Sequence, residues 1–425
     1  MSIENVRFQT GLHAVDIQKS VQGLYGEHEA FLDETINAGI IARLAEKLRG
    51  QEVLNFERIV ALSSDIGARP SVLKKVILPK METLSLGEVV RQNSEVVSFK
   101  ENCPSPPRIM EAVGASWLES KERSTVEEAA IVTLGHLSKL PELGSTLEDE
   151  MARQYGKESF DIALELGDNG EFIKRFKPDN SDESMFYSPL YFGESPKKQY
   201  GFLRDLERKG ELGTLTATIG KVQTEQAFPV GRLEEEEKSQ LVAAHQVGLV
   251  DNVEVVTASG NKEVFSFTGG IRVKEPPMRD ICEEVKLATA NIQYGKYFSQ
   301  GARIRDPVVL LRALVDRGTI GPASPIGTDY PLMVTGGVVR IRKQEGGSFY
   351  YMDLIPEKKA IIESAIELLA FQGPASLKFG SLPPSVTLPG ASFKNPQQVR
   401  VEHKKLPEHV EKTRKKLLEN LMGER

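Results

Sequence analysis

Three segments of this chain share one pattern, in which a helical stretch gives way to two β-rich arms around a polar tip. The segments are Gly87–Lys100, Gly248–Thr268 and Gly336–Ile355, and each opens on glycine and valine. Their tips are rich in Asn, Ser and Gly, which adopt the backbone conformations that tight hairpin turns need. The pattern predicts three β-hairpins, each preceded by helices, and restricts the chain to architectures that combine helices with hairpins.

The composition narrows the possible classes of protein. The chain has 425 residues, of which 40% are apolar and 27% are charged, and its formal net charge is −6. A basic field over the whole protein is therefore absent, and any nucleic-acid site must be a local patch. The two cysteines, Cys103 and Cys282, are far apart and belong to no CxxC pair, which argues against a disulfide framework or a cysteine zinc site and favours the cytoplasm. Neither a signal peptide nor a membrane-spanning helix is expected.

The fold class predicted from these signals is mainly α with β-hairpin wings (α+β), in five segments. We expect an N-terminal helix and first hairpin unit in 1–103, a helical hairpin in 104–158, a β insert and second unit in 159–275, a third unit in 276–372, and a Pro-rich linker with a charged C-terminal helix in 373–425. Residues 160–193 are predicted to be strands, because FDIALELG alternates apolar and polar residues and Asp168-Asn169-Gly170 is a strong turn signal.

The first unit has the clearest order of elements. Helices are predicted at Glu27–Arg49, at Asn55–Ser64 and at Pro70–Leu84, where proline suits the first helical position. Gly67 is expected to adopt a left-handed conformation in the turn before the third helix, because glycine does so without a Cβ clash.

This order of helix, helix, glycine turn, helix and hairpin resembles the winged helix-turn-helix superfamily. The resemblance is best over 36–100 and looser in the other two units, and it covers about half of the chain. It implies that Pro70–Leu84 is a recognition helix and that 92–95 is the tip of a wing. Many members of the superfamily bind duplex DNA and many others are protein-binding adaptors, so the resemblance alone does not decide the function.

Local charge selects candidate DNA-binding residues. Between Ile66 and Met81 the chain carries four basic residues and no acidic one, and the third unit places two arginines in alternation on the first arm of its hairpin, which directs them to one face. The predicted DNA-binding residues are Arg69, Ser71, Lys74, Lys75, Lys80, Arg91, Asn93, Arg340, Arg342 and Lys343.

Each of these signals has a plainer interpretation. Lys74 and Lys75 are also compatible with a solvated helix face, which is the commoner role of such residues, and Arg340 and Arg342 are compatible with protection of a sheet edge against aggregation. The second unit opens its helix with four glutamates, 234–237, which suit a helix N-terminus but repel phosphate.

No catalytic motif is present. The six histidines lack HxxxH and HExxH spacing, and GxxxxGK[ST], GxGxxG and GxSxG are absent. We therefore predict no enzyme, no cofactor and no metal. The leading hypothesis is a non-enzymatic protein that binds double-stranded DNA. The alternative is a protein–protein adaptor within a larger complex, which contacts its partner through the second unit or the C-terminal helix. A homodimer is compatible with either, and no membrane partner is expected.

Overall fold

The computed structural model describes residues 3–22, 31–63, 66–93, 95–179, 181–192, 195–268, 276–300 and 303–370. This part of the chain is mainly helical and contains four small three-stranded antiparallel sheets, so the predicted α+β class is confirmed. The predicted linker and C-terminal helix in 373–425 lie outside the described residues.

One order of elements occurs four times within the described residues: a helix, a short strand, a helical segment, a third helix and a β-hairpin. In each sheet the second strand of the hairpin is central, with the short first strand on one side and the first hairpin strand on the other. We name the four occurrences repeats A to D. The three predicted hairpins belong to repeats A, C and D.

A long helix and repeat A form the N-terminal part of the chain. Their elements are α1 (Ile3–Val21), α2 (Asp33–Leu48), β1 (Val53–Asn55), α3 (Phe56–Ser63), α4 (Pro70–Val72), a π-helical turn (Leu73–Ile77), α5 (Leu78–Thr83), β2 (Gly87–Gln92) and β3 (Glu95–Glu101). Gly67 has φ +81°, which confirms the predicted left-handed conformation.

Repeat B follows one connecting helix. The elements are α6 (Pro106–Glu119), α7 (Thr125–Leu137), β4 (Glu142–Leu143), α8 (Gly144–Tyr155), α9 (Lys157–Asn169), β5 (Lys174–Phe176) and β6 (Met185–Tyr187).

Repeats C and D are separated by the longest helix. The elements are α10 (Pro196–Lys209), α11 (Leu212–Thr224), β7 (Phe228–Pro229), a 3-10 turn (Val230–Arg232), α12 (Glu235–Gln246), β8 (Val250–Val256), β9 (Lys262–Thr268), α13 (Pro276–Tyr297), α14 (Pro307–Arg317), β10 (Thr319–Ala323), a 3-10 turn (Ser324–Gly327), α15 (Pro331–Thr335), β11 (Val339–Lys343), β12 (Tyr350–Leu354), a 3-10 turn (Pro356–Lys358) and α16 (Lys359–Ala370).

The predicted strand at the start of 160–193 is wrong, because these residues form α9. Phe160, Ala163, Leu166 and Gly167 are buried, at the spacing of one helical face. The stretch FDIALELG satisfies both the helical and the strand period, and burial selects the helix. Asp168-Asn169-Gly170 ends this helix rather than turning a hairpin, whereas the later strands β5 and β6 do fall within the predicted β region.

All four third helices end in the same backbone arrangement. A residue with positive φ follows the helix: Ser85 at +57°, Glu171 at +60°, Gly248 at +76° and Gly337 at +63°. The next residue is buried and apolar, and its N–H donates to the carbonyl five positions back, over 2.9–3.0 Å. This is the hydrogen-bonding pattern of a Schellman end. It places one buried apolar residue directly before each hairpin: Leu86, Phe172, Leu249 or Val338.

The third helix of repeat A contains a π-helical turn where the sequence predicts a regular helix. Leu78 donates its N–H to the carbonyl of Leu73, five residues back. Pro79 follows directly, and proline has no N–H and crowds the carbonyl four residues before it. The wider turn relieves this conflict without ending the helix.

The chain divides into two compact bodies. The first comprises residues 10–132 and 151–174, and fully buried side chains of repeat A, among them Leu44, Ile59 and Phe99, contribute to its core. The second comprises the described residues of 1–9, 133–150 and 175–370, and Phe265, Leu311, Met352 and Ile362 belong to one continuous apolar cluster within it. None of the helices in the described part of the chain combines the length and the apolarity needed to cross a membrane.

Candidate nucleic-acid interface

The third helix of repeat A separates its apolar and polar residues cleanly. Leu73, Ile77, Leu78 and Met81 are fully buried. On the other side, Arg69, Ser71 and Lys75 are exposed and Lys74 is partly exposed. The predicted orientation of these polar residues is therefore observed, because burial of one helical face forces the remaining positions into solvent.

Lys74 is held between two neighbouring elements. Its Nζ lies 2.6 Å from Oε2 of Glu95 on β3 and 4.9 Å from the centre of the Phe56 ring on α3. The hydrogen bond from Lys74 lowers the pKa of the Glu95 carboxyl. Both side chains are solvent-accessible, and exposed ion pairs are weak, so a stronger anion can replace Glu95 at little cost.

Lys80 and Arg91 are also paired with carboxylates. Lys80 Nζ lies 2.7 Å from Oε1 of Glu34, a carboxylate that also accepts a hydrogen bond from the hydroxyl of Ser120. Arg91 lies 3.2 Å from Oε2 of Glu82. The backbone N–H of Val89 also donates to Glu82, and this bond, followed by that from Arg91, lowers the pKa of the Glu82 carboxyl. These pairs connect the third helix to α2 and to the hairpin.

The other predicted residues of repeat A point to solvent. Lys75 is exposed and pairs with no carboxylate among the described residues. Asn93 occupies the hairpin tip with φ +51°, a left-handed conformation that asparagine tolerates better than most side chains. Over 66–101 the chain carries six basic and four acidic residues, so the excess of positive charge is modest and is concentrated at the start of the third helix.

The predicted residues of repeat D lie on its hairpin. Arg340, Arg342 and Lys343 are exposed. Arg340 and Arg342 alternate along β11 with the less exposed Val339 and Ile341, which confirms that the two arginines share a face. Arg342 donates to Asp353 on β12 over 3.1 Å, and its guanidinium carbon lies 4.6 Å from the centre of the Tyr351 ring.

Charge distinguishes the third helices of the four repeats. Residues 70–83 of repeat A carry three lysines and one glutamate. In repeat B, α9 carries one lysine and four acidic residues, and in repeat C, α12 carries one lysine and three glutamates. In repeat D, α15 has no charged residue. Among these four topologically equivalent helices, that of repeat A alone has a net positive charge.

Several functional neighbours were missed from the sequence. Tertiary packing brings Glu34, Glu82 and Glu95 to the basic residues. No local sequence pattern predicts these contacts. Tyr351 could have been found, because a hairpin centred on Gly346-Gly347 places residue 351 opposite residue 342, as the observed register does. The side chains that accompany Arg342 follow from this register.

No protein-family model matches this chain, and no curated protein matches it. Within the described residues, no group of three or more His, Cys, Asp and Glu side chains is arranged to hold a metal ion. The geometry and charge of the repeats are therefore what indicates the function.

Proposed function

We propose that the protein binds double-stranded DNA through the third helix of repeat A. The observation that carries this proposal is the excess of lysine on the exposed side of this helix, which none of the three equivalent helices shares. Lys75, Arg69 and Ser71 are accessible to phosphate oxygens, and Lys74 can exchange Glu95 for a phosphate. Contacts with phosphates supply most of the affinity of non-specific DNA binding.

We further propose that the four repeats are winged-helix units. The recurrence of helix, strand, helix, helix and hairpin supports this assignment, as does the sheet order in which the last strand is central. In repeat A, the contacts Lys74–Glu95 and Glu82–Arg91 join the third helix to the hairpin, which supports a continuous helix-and-wing surface.

A second candidate function is a protein–protein adaptor. The acidic third helices of repeats B and C favour it, because four carboxylates on α9 and three on α12 repel a phosphate backbone. Under this alternative, the two acidic helices contact a basic partner protein, and the lysines of repeat A are a solvated surface.

Duplex binding as a function of salt separates the two functions. We expect Lys75→Glu to weaken binding of a labelled duplex for every sequence tried, and to reduce the slope of log K against log salt by about 0.9 for each phosphate that the variant no longer neutralises. Fluorescence anisotropy of the full chain measures both quantities. Lys121→Glu is the matched control, because Lys121 is also exposed in the first body but lies in the loop between α6 and α7.

Equal weakening by both substitutions would indicate a general charge effect rather than a site. Duplex binding that does not change in the folded Lys75→Glu protein would contradict the DNA proposal and favour the adaptor.

A further inference from the structure

The outer face of the sheet in repeat D combines aromatic rings with cations. Arg342 on β11 stands opposite Tyr351 on β12, and Arg340 stands opposite Asp353. Phe349 directly precedes β12, two residues from Tyr351, and 48% of its surface is exposed. The outer face of the sheet in repeat A has no aromatic side chain at the corresponding strand positions; it carries Val53, Glu88, Val90 and Lys100 instead.

The positive charge of this face is only partly compensated. Asp353 accepts hydrogen bonds from the hydroxyl of Thr319, over 2.6 Å, and from Arg342, and these bonds lower the pKa of its carboxyl. Asp353 therefore remains ionised and neutralises Arg342. Arg340 and Lys343 are exposed and pair with no carboxylate among the described residues. Lys343 stands opposite Tyr350 and therefore belongs to the other face of the sheet. Arg340 is the cation of the outer face that is left to bind an anionic ligand.

The third helix of repeat D does not offer an alternative anion site. It has five residues, PLMVT, with no charge and with one exposed valine, Val334. In repeat A the accessible lysine lies on the third helix, whereas in repeat D the cations and the rings lie on the hairpin.

We propose that the outer face of the repeat D sheet binds single-stranded nucleic acid, with Phe349 and Tyr351 stacking on unpaired bases and Arg340 contacting phosphate. Aromatic side chains next to cations are the chemistry of single-strand binding, because every base presents a π-face once it is unpaired. A duplex hides those faces between base pairs and offers the rings nothing to stack on. Arg342 lies close enough to Tyr351 to extend the same platform, since guanidinium and ring attract each other.

The test compares strands that have the same phosphates with and without bases. Full-length protein is titrated against labelled oligothymidylate and against an abasic strand of equal length, with fluorescence anisotropy as readout. We expect oligothymidylate to bind at least about fivefold more tightly, which is the contribution of one base stacked on an aromatic ring. Phe349→Ala should abolish most of this difference while leaving the affinity for the abasic strand unchanged.

Two further variants sharpen the assignment. Arg340→Gln should weaken binding of both strands and lower the salt slope by about 0.7, the value for one phosphate of a single strand. Val334→Ala is the matched control for Phe349→Ala, because it removes an exposed apolar side chain of the same repeat away from the sheet face. Thermal unfolding of each variant establishes that it is folded.

The outcomes are decisive for the site. Equal affinity for the two strands, or a Phe349→Ala protein that still prefers oligothymidylate, would overturn the proposal. Binding of duplex but of neither single strand would also overturn it. Oligouridylate in a parallel titration shows whether DNA or RNA is preferred.

This site is separable from the duplex site of repeat A. Lys75→Glu should leave binding of oligothymidylate unchanged, and Phe349→Ala should leave duplex binding unchanged. A loss of both activities in either variant would show that one surface serves both ligands and would contradict the assignment to the repeat D sheet.

Discussion

At the scale of single residues, the four repeats share a backbone conformation after the third helix although the residue at that position differs. The residue that ends each third helix is left-handed in all four repeats, yet it is glycine in repeats C and D and is Ser85 or Glu171 in repeats A and B. A side chain in this conformation is strained, so the packing of the following apolar residue must stabilise it. The φ values therefore show this position in all four repeats, whereas the sequence marks it with glycine in only two of them.

Gly337 tests how much this conformation contributes to stability. A Cβ at this position meets no atom within 4 Å, so Gly337→Ala should destabilise the protein only through its φ of +63°, by about 1 kcal/mol. Urea unfolding measures the change.

The control for Gly337→Ala is Gly201→Ala, inside α10. A Cβ at position 201 also meets nothing within 4 Å, but the residue is helical, so alanine should stabilise by roughly 0.5–1 kcal/mol. Changes of the same sign at the two positions would show that backbone conformation does not determine the result.

Substitution of Glu95, the carboxylate that pairs with Lys74, tests whether Lys74 contacts phosphate. Glu95→Gln removes the carboxylate from Lys74 while keeping the size of the side chain. If Lys74 contacts phosphate, duplex binding should become tighter and more dependent on salt, since one more cation is available to displace counterions. Fluorescence anisotropy measures both effects. Glu122→Gln, at an exposed position between α6 and α7, is the charge-matched control, and an equal gain from both variants would mean that Lys74 is not involved.

At the scale of elements, the first strand of each repeat completes its sheet. The strands β1, β4, β7 and β10 have only two to five residues. Each pairs with the second strand of a hairpin, and the paired residues are 27 to 47 positions apart along the chain. Strands this short carry too little alternation to be recognised, and they become strands because a distant hairpin supplies hydrogen-bonding partners.

The connection between α7 and β4 makes stability depend on pH. Nδ1 of His136 lies 3.1 Å from Oε1 of Glu142, and this hydrogen bond raises the pKa of the histidine above its usual 6.5. The protonated histidine therefore stabilises the fold. Its contribution is fully present below about pH 6.5 and is lost as the pH rises through the raised pKa.

We expect Glu142→Gln to reduce the free energy of unfolding more at pH 6 than at pH 8. Urea unfolding at the two values measures this difference. His245→Gln is the control, because His245 contacts a backbone carbonyl, that of Val250, rather than a carboxylate. A loss of stability from Glu142→Gln that is equal at both pH values would contradict the role of the ion pair.

At the scale of the whole molecule, one architecture is repeated with different surfaces. Repeat A carries lysines on its third helix, repeats B and C carry carboxylates there, and repeat D carries cations and rings on its hairpin. Fold and surface chemistry are thus set by different residues: the buried positions preserve the repeat, and the exposed positions give each copy its own surface.

The C-terminal segment gives a prediction for the whole chain from sequence alone. Residues 373–395 are rich in proline, and the predicted C-terminal helix has few apolar residues: Val410, Leu417, Leu418 and Leu421. Such a segment buries too little apolar surface to contribute much to stability. We expect removal of 396–425 to leave the thermal midpoint nearly unchanged, and a fall of many degrees, measured by differential scanning calorimetry, would show that this segment supports the core.

The sequence by itself determined the elements whose signals are local. Hairpins follow from turn residues between β-rich arms, helices from apolar spacing with Pro70 at the start of one of them, and the conformation of Gly67 from its place in a tight turn. Each of these depends on residues within one turn or one strand.

Only the tertiary structure decided what depends on residues distant in the chain. Residues 160–167 fit both periods until burial selected the helix, and the fourth repeat and the first strands became visible only through pairing. The carboxylates at Lys74, Lys80 and Arg91 come from elements 9 to 46 residues away. Charge counted along the sequence overstated the positive field of the third helix in repeat A, because folding brings opposite charges together that the chain keeps apart.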